Sequence, residues 1–253
     1  MRKKPVIKEY SCCEELGKCI TIVQLSDLHN CIFGKDNFGL VKAVSDCRPD
    51  IILFSGDMIN KHEKHYKTAL SVIERIASVA PCFYGYGNHE LIYSKHFTSD
   101  CKEYEDALKK LGITVLRDDS VITDISGIPF EIGGFTADEK AYTHFKKLPV
   151  YSEVTKRKNP NITGLLISHN PELYESYEKS GWNYIFSGHL HGGIIRIPGF
   201  RGIVSPSGRL FPKYSGGLYR LKNNKMIVSR GLGSHTVKLR IFNPPELVKI
   251  TLS

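Results

Sequence analysis

Five short apolar runs in this chain each stop at residues whose side chains can hold a cation, and that coincidence limits the folds open to it. Residues 20–26, rich in β-branched side chains, end at Asp27-Leu28-His29. Residues 51–55 lead to Gly56-Asp57, and 82–86 lead to Gly87-Asn88-His89. Residues 164–168 lead to His169, and 184–187 lead to Gly188-His189-Leu190-His191. Runs of this length and makeup read as buried strands. Between them, 38–47, 66–79 and 100–111 carry apolar residues at helical spacing. A shorter helix is predicted over 171–179, with Asn170 as its N-cap and Pro171 in its first turn. Strand and helix alternation is the α/β signature. Beyond Gly193 the texture changes to Gly- and Pro-punctuated strands at 217–221, 226–229 and 247–252, with Asn223-Asn224 as a tight turn. Residues 114–134 read as β-hairpins. No repeat, low-complexity tract or long linker divides the sequence, so one domain over residues 1–253 is expected, with 1–18 as an N-terminal extension.

In open α/β sheets, ligands gather at the carboxyl ends of the strands, so five such tips can meet in one cleft. Asp27 and His29 are two apart, as are His189 and His191. If those segments are extended, each pair faces one side and can address a common centre. Carboxylate, imidazole and amide donors without thiolates suit Mn²⁺, Fe or Zn²⁺ at a working centre better than a structural Zn²⁺. The seven candidates are Asp27, His29, Asp57, Asn88, His169, His189 and His191. They are too many for one tetrahedral ion but fit two ions sharing a carboxylate, the usual arrangement for phosphate-ester hydrolysis. Taken singly, a D-x-H or a Gly-Asp turn is ordinary loop chemistry. As an ordered set, each member following a strand, and holding half of the ten histidines, they make the functional reading the stronger one. The other histidines (His62, His65, His96, His144 and His235) have no such context; His62 and His65 are three apart, not the four of H-E-x-x-H.

Composition excludes more than it selects. With 41% hydrophobic and 24% charged residues, neither disorder nor a membrane span is expected. Lys and Arg outnumber Asp and Glu by 35 to 26, a formal charge of +9 that suits anionic partners and equally suits a solvated surface. No aromatic-basic run offers a stacking platform, so nothing indicates a nucleic-acid partner. The seven cysteines form no C-x-x-C pair, which disfavours a disulfide framework or a zinc knuckle and predicts small buried thiols in a reducing compartment. The first residues are basic without an apolar h-region, so a cytoplasmic location is the default.

The motif set resembles the calcineurin-like metallophosphoesterases, whose ordered signatures are D-x-H, G-D-x-x-[DN], G-N-H-[DE], an isolated His and G-H-x-H. Here they stand as Asp27-Leu28-His29, Gly56-Asp57-Met58-Ile59-Asn60, Gly87-Asn88-His89-Glu90, His169 and Gly188-His189-Leu190-His191. Later segments, among them Gly192-Gly193-Ile194-Ile195-Arg196 and Phe242-Asn243-Pro244-Pro245-Glu246, look like a bacterial phosphodiesterase subgroup similar to UDP-diacylglucosamine hydrolases. The resemblance implies a sandwich of two mixed β-sheets flanked by helices, in four αββα layers. It implies one metal on Asp27, His29 and His191, a second on Asn88, His169 and His189, and Asp57 bridging them. A hydroxide between the metals would be the nucleophile, with His89 just outside the metal shell assisting the leaving group. Many relatives have Asp where this chain has Asn60, which could orient an imidazole but not balance its charge. The activity implied is phosphoester hydrolysis, foremost of phosphodiesters. The alternatives are a UDP-sugar-lipid pyrophosphatase at a membrane surface, a nuclease, and a non-catalytic scaffold. For the pyrophosphatase, Arg196, Arg201, Arg209, Lys213 and Arg220 are candidate contacts to acidic groups, and peripheral membrane contact stays open. No obligate protein partner is indicated.

Overall fold

The apolar runs pair into two six-stranded mixed sheets. The computed structural model describes residues 4–143, 147–151, 153–193, 195–196, 202–204, 210–234 and 240–253. One sheet holds β1 (Val6–Cys12), β2 (Ile20–Leu25), β3 (Ile51–Ser55), β4 (Cys82–Gly85), β5 (Thr114–Leu116) and β14 (Glu246–Leu252), in the order β1-β14-β2-β3-β4-β5. The other holds β6 (Ser120–Ile125), β7 (Ile128–Phe135), β8 (Thr163–Ser168), β9 (Tyr184–Ser187), β12 (Gly217–Arg220) and β13 (Lys225–Val228), in the order β12-β13-β9-β8-β7-β6. A two-stranded antiparallel ribbon, β10 (Ile195–Arg196) with β11 (Gly202–Val204), lies outside both. The central strands β2 to β5 run parallel, as do β7, β8, β9 and β13.

Two-residue periodicity sorts the side chains into layers. On β3, Ile52 and Phe54 face the helices while Ile51 and Leu53 face the second sheet. On β8, Leu165 and Ile167 face inward and Leu166 faces out; on β9, Tyr184 and Phe186 face inward and Ile185 faces out. Both faces of these strands are covered, which is why they read as continuous apolar runs rather than alternating ones. Helices α1 (Phe38–Asp46), α2 (Lys67–Ala77), α3 (Asn88–His96) and α4 (Thr98–Lys110) contribute buried residues to the core on the outer face of the first sheet. A 3-10 turn at Pro171–Leu173 and α5 (Tyr174–Tyr177) contribute to the core outside the second sheet, around Trp182. The result is the helix–sheet–sheet–helix sandwich expected of the sequence.

Several local expectations change. The helix predicted over 171–179 is a 3-10 turn followed by a single α-turn, although Asn170 does cap it, accepting from the Glu172 N–H at 2.9 Å. Residues 114–134 are not all hairpin. Only β6 and β7 pair that way, while β5 completes a strand–helix–strand unit with β4 and α4 and so joins the first sheet in parallel. Within residues 1–18, Val6–Cys12 is an edge strand parallel to β14. All seven cysteines are free, but only Cys12, Cys47, Cys82 and Cys101 are buried; Cys31 is half-buried, and Cys13 and Cys19 are exposed in the loop after β1. No helix among the described residues is long and apolar enough to cross a membrane.

Candidate metal centre

The carboxyl ends of β2, β3 and β4 meet those of β8 and β9 where the two sheets adjoin. Backbone hydrogen bonds carry the strand pairing on into the turns: the Asp27 N–H donates to Gly56 O and the His29 N–H to Asp57 O, both at 3.0 Å. Across the second sheet, the Gly188 N–H donates to His169 O at 3.0 Å. The Asp27/His29 and His189/His191 pairs are not extended, contrary to expectation. All four lie in the left-handed region, with φ of 52°, 49°, 68° and 51°. The leucine inside each pair explains this, because Leu28 and Leu190 are fully buried and a tight turn lets them anchor while their neighbours converge. Asp57 shares that conformation at φ 55°. Such backbone is uncommon for non-glycine residues and is held only where surrounding structure over-determines it. Gly87 allows the next strand tip to close in, since a Cβ there would stand 2.7 Å from the Asp57 backbone nitrogen.

Three trios of donor atoms result, each with its atoms within 4.8 Å of one another: Asp27, His29 and His191; His29, Asp57 and His89; and Asp57, His169 and His189. They overlap at His29 and Asp57. The His29 and His191 Nε2 atoms are 3.1 Å apart, and His191 Nε2 is 3.3 Å from Asp27 Oδ1. His169 Nε2 lies 3.2 Å from Asp57 Oδ2 and 3.8 Å from Asp27 Oδ1. Asn88, the seventh candidate, opens α3 beside His89.

The donor set fits a cation. Asp27 Oδ2 and Asn88 Oδ1 are buried and make no hydrogen bond, which is costly unless an ion satisfies them, and His169 Nε2 meets the Asp57 carboxylate at 3.2 Å. His169 Nδ1–H donates to Ser55 O at 2.7 Å, so Nε2 is the nitrogen turned to the cage. Burial would lower the His169 pKa, but the Asp57 and Asp27 carboxylates override it and hold the ring up at about 10. Burial also raises Asp27 to about 6. Asp57 resists the same burial because His169, His89 and His29 keep its carboxyl well below the usual range. His191 is pushed down by burial and by His29 and Arg240, leaving a neutral ring.

Around the cage, three residues act that sequence reasoning passed over or misjudged. Glu90 is completely buried and gathers the N–H groups of Asp57, Met58 and Gly87 at 2.8–2.9 Å, with the Tyr84 hydroxyl at 2.7 Å. Its place in the G-N-H-[DE] signature is visible in the sequence; its work is not. Asn60 does not orient His89. Its amide donates to Glu63 and its oxygen accepts from the His62 N–H, and the Lys61 backbone N–H donates to His89 Nδ1 at 3.0 Å. Tyr142 ends a 3-10 turn at Glu139–Tyr142, with its ring centroid 5.0 Å from that of His189. An isolated tyrosine in a polar stretch gives no signal.

The basic candidates separate. Arg196 is half-buried and donates to the carbonyls of Gly192 and Ser215, so it braces the backbone. Lys213 lies over the Tyr174 and Tyr214 rings, and Arg220 is exposed on β12. Arg201, Arg209, His144, Ile194 and His235 lie outside the described residues. His62, His65 and His96 belong to none of the donor trios.

A two-sheet sandwich with overlapping Asp/His trios at the strand tips defines a metallophosphoesterase. The chain belongs to the calcineurin-like phosphoesterase family, whose model matches residues 20–193. It is 28% identical to phosphodiesterase YaeI of Escherichia coli, over 91% of this chain and 81% of that protein. It is 25% identical to UDP-2,3-diacylglucosamine pyrophosphatase LpxG of Chlamydia muridarum, over 90% of this chain and 82% of that one. It is also 26% identical to the metallophosphoesterase YkuE of Bacillus subtilis, over 91% and 78%. The chain is a hydrolase acting on phosphoesters, of a family that works with two metals.

Proposed function

We propose that this chain hydrolyses phosphodiesters with two divalent cations of the Mn²⁺, Fe or Zn²⁺ class. Asp27, His29 and His191 would hold one cation, and Asn88, His169 and His189 the other, with Asp57 between them. The observation that carries the reading is the overlap of the donor trios at Asp57, since one carboxylate reaching both halves of a buried cage suits two neighbouring ions. When bound, such ions lower the pKa of a shared water and neutralise charge on the phosphoryl oxygens. The chain's own residues do the rest. Glu90 fixes the loop that carries Asp57. The His89 backbone N–H donates to Asp57 Oδ1 at 2.8 Å and orients the carboxylate. Because His89 Nδ1 accepts from the Lys61 N–H, the proton of the neutral ring sits on Nε2, which supports a role for His89 as donor to a phosphoryl or leaving-group oxygen. The family likeness to a protein named as a phosphodiesterase supports the choice of diester.

The test is turnover of bis(4-nitrophenyl) phosphate with added Mn²⁺, beside a panel of monoesters and pyrophosphates. Turnover of the diester that stops with EDTA and returns with Mn²⁺ is the expected outcome. Metal-loaded protein inert on the whole panel would sink the reading, and activity on pyrophosphates alone would move it to the pyrophosphatase alternative.

The titration of the cage sets a pH dependence. His169 is held at about 10, so near neutral pH its Nε2 carries a proton that a cation must displace. Metal affinity is therefore expected to rise with pH, by roughly tenfold per unit for one proton released, until the pH passes about 10. His191, already neutral, adds no proton in this window. Isothermal titration of Mn²⁺ at pH 7.5, repeated in buffers of different ionisation enthalpy, should find about one proton released. A pH-independent affinity would contradict this.

A further inference from the structure

Tyr142 stands against the metal cage without being one of its donors. Its ring meets His189 edge-on at 5.0 Å and lies 6.4 Å from the His169 ring, so it adjoins both imidazoles of one trio. It is firmly seated. Asp138 caps the 3-10 turn by accepting from the Lys140 N–H, and the Tyr151 hydroxyl donates to the same carboxylate at 2.7 Å. The Asn170 amide donates to Ala141 O at 2.6 Å and ties the turn to the residue following His169. Lys95 on α3 pairs with Glu139 at 2.8 Å. Yet the Tyr142 hydroxyl makes no hydrogen bond to any described residue, although the side chain is half-buried. Its oxygen is not among the sealed, unpartnered polar atoms of the described residues, so it is open to a ligand arriving from solvent.

We infer that Tyr142 is a substrate-contacting residue whose hydroxyl donates a hydrogen bond to a phosphoester oxygen bound at the Asp57–His169–His189 trio. This rests on the phosphoesterase reading above. The chemistry is that of a phosphate oxyanion, which takes short, strong hydrogen bonds from neutral donors, and a donor fixed in advance loses little freedom on binding. A phenol of ordinary acidity keeps its proton at neutral pH and is able to donate. The residue reaches the site from the connection after β7, a strand tip that supplies none of the metal donors. It therefore gives substrate recognition a support separate from the ligand turns.

The experiment uses Mn²⁺-loaded full-length protein and compares wild type with Tyr142→Phe. Inorganic phosphate binding is measured by titration calorimetry, bis(4-nitrophenyl) phosphate turnover is measured alongside, and Mn²⁺ content is determined for both. Tyr142→Phe is expected to bind phosphate about tenfold more weakly, the loss of one charge-assisted hydrogen bond, and to lose a similar factor in kcat/KM with Mn²⁺ content unchanged. Wild-type phosphate affinity in the variant would overturn the inference. So would a fall that tracks lost Mn²⁺, because Tyr142 would then only brace His189. Failure of the phosphoesterase reading shows separately, as a wild-type protein that turns over no ester whatever Tyr142→Phe does to phosphate binding.

Discussion

Asp57→Asn is expected to lower kcat/KM on bis(4-nitrophenyl) phosphate by on the order of 10³-fold or more, about 4 kcal/mol of transition-state stabilisation. The substitution keeps the size of the side chain and the oxygen that can accept from the His89 N–H, and removes the charge shared by two donor trios. Elemental analysis should show the Mn²⁺ content per chain falling with activity, while far-UV circular dichroism stays that of wild type. A variant that keeps its full complement of metal and most of its turnover would remove Asp57 from the centre of the cage.

The second large effect concerns folding rather than chemistry. Glu90→Ala strands the backbone N–H groups of Asp57, Met58 and Gly87, and the Tyr84 hydroxyl, in a fully buried pocket. Orphaned buried donors cost roughly 1–3 kcal/mol each before relaxation, so a loss of about 3–5 kcal/mol is expected in urea unfolding of metal-free protein. Glu90→Gln keeps one acceptor oxygen and should lose less. A Glu90→Ala protein destabilised by under about 1 kcal/mol would mean that the Asp57 loop holds its shape unaided.

Much of this was legible in the sequence because buried parallel strands are written as plain apolar runs. β3 and β9 have the predicted limits, and β2, β4 and β8 differ from theirs by a residue or so. The ligand types at their ends were equally plain. What failed was conformation. The i, i+2 argument for Asp27/His29 and His189/His191 assumed extended backbone, and nothing local announces that a buried leucine will turn both flanking residues left-handed. No helix is predicted after Gly87 because α3 has almost no apolar periodicity; it begins there through the Glu90 capping interaction, a contact between residues near the strand tip. β1 was missed because its partner β14 lies at the other end of the sequence. Asn60 was given a role at His89 that a neighbouring peptide N–H fills, and a backbone donor leaves no trace in residue identity.

The donors hang from two different sheets: Asp27, His29, Asp57 and Asn88 from the first, His169, His189 and His191 from the second. Gln24 stitches those sheets beneath the cage, donating to Ser55 Oγ at 2.7 Å and to Ser187 O at 2.9 Å. The gap across which any pair of ions must fit is thus an inheritance of how the sandwich is filled. Ile22 and Phe186 both lie in the packed layer between the sheets, so a change of side-chain volume at either is expected to reach the spacing of the cage without altering a ligand.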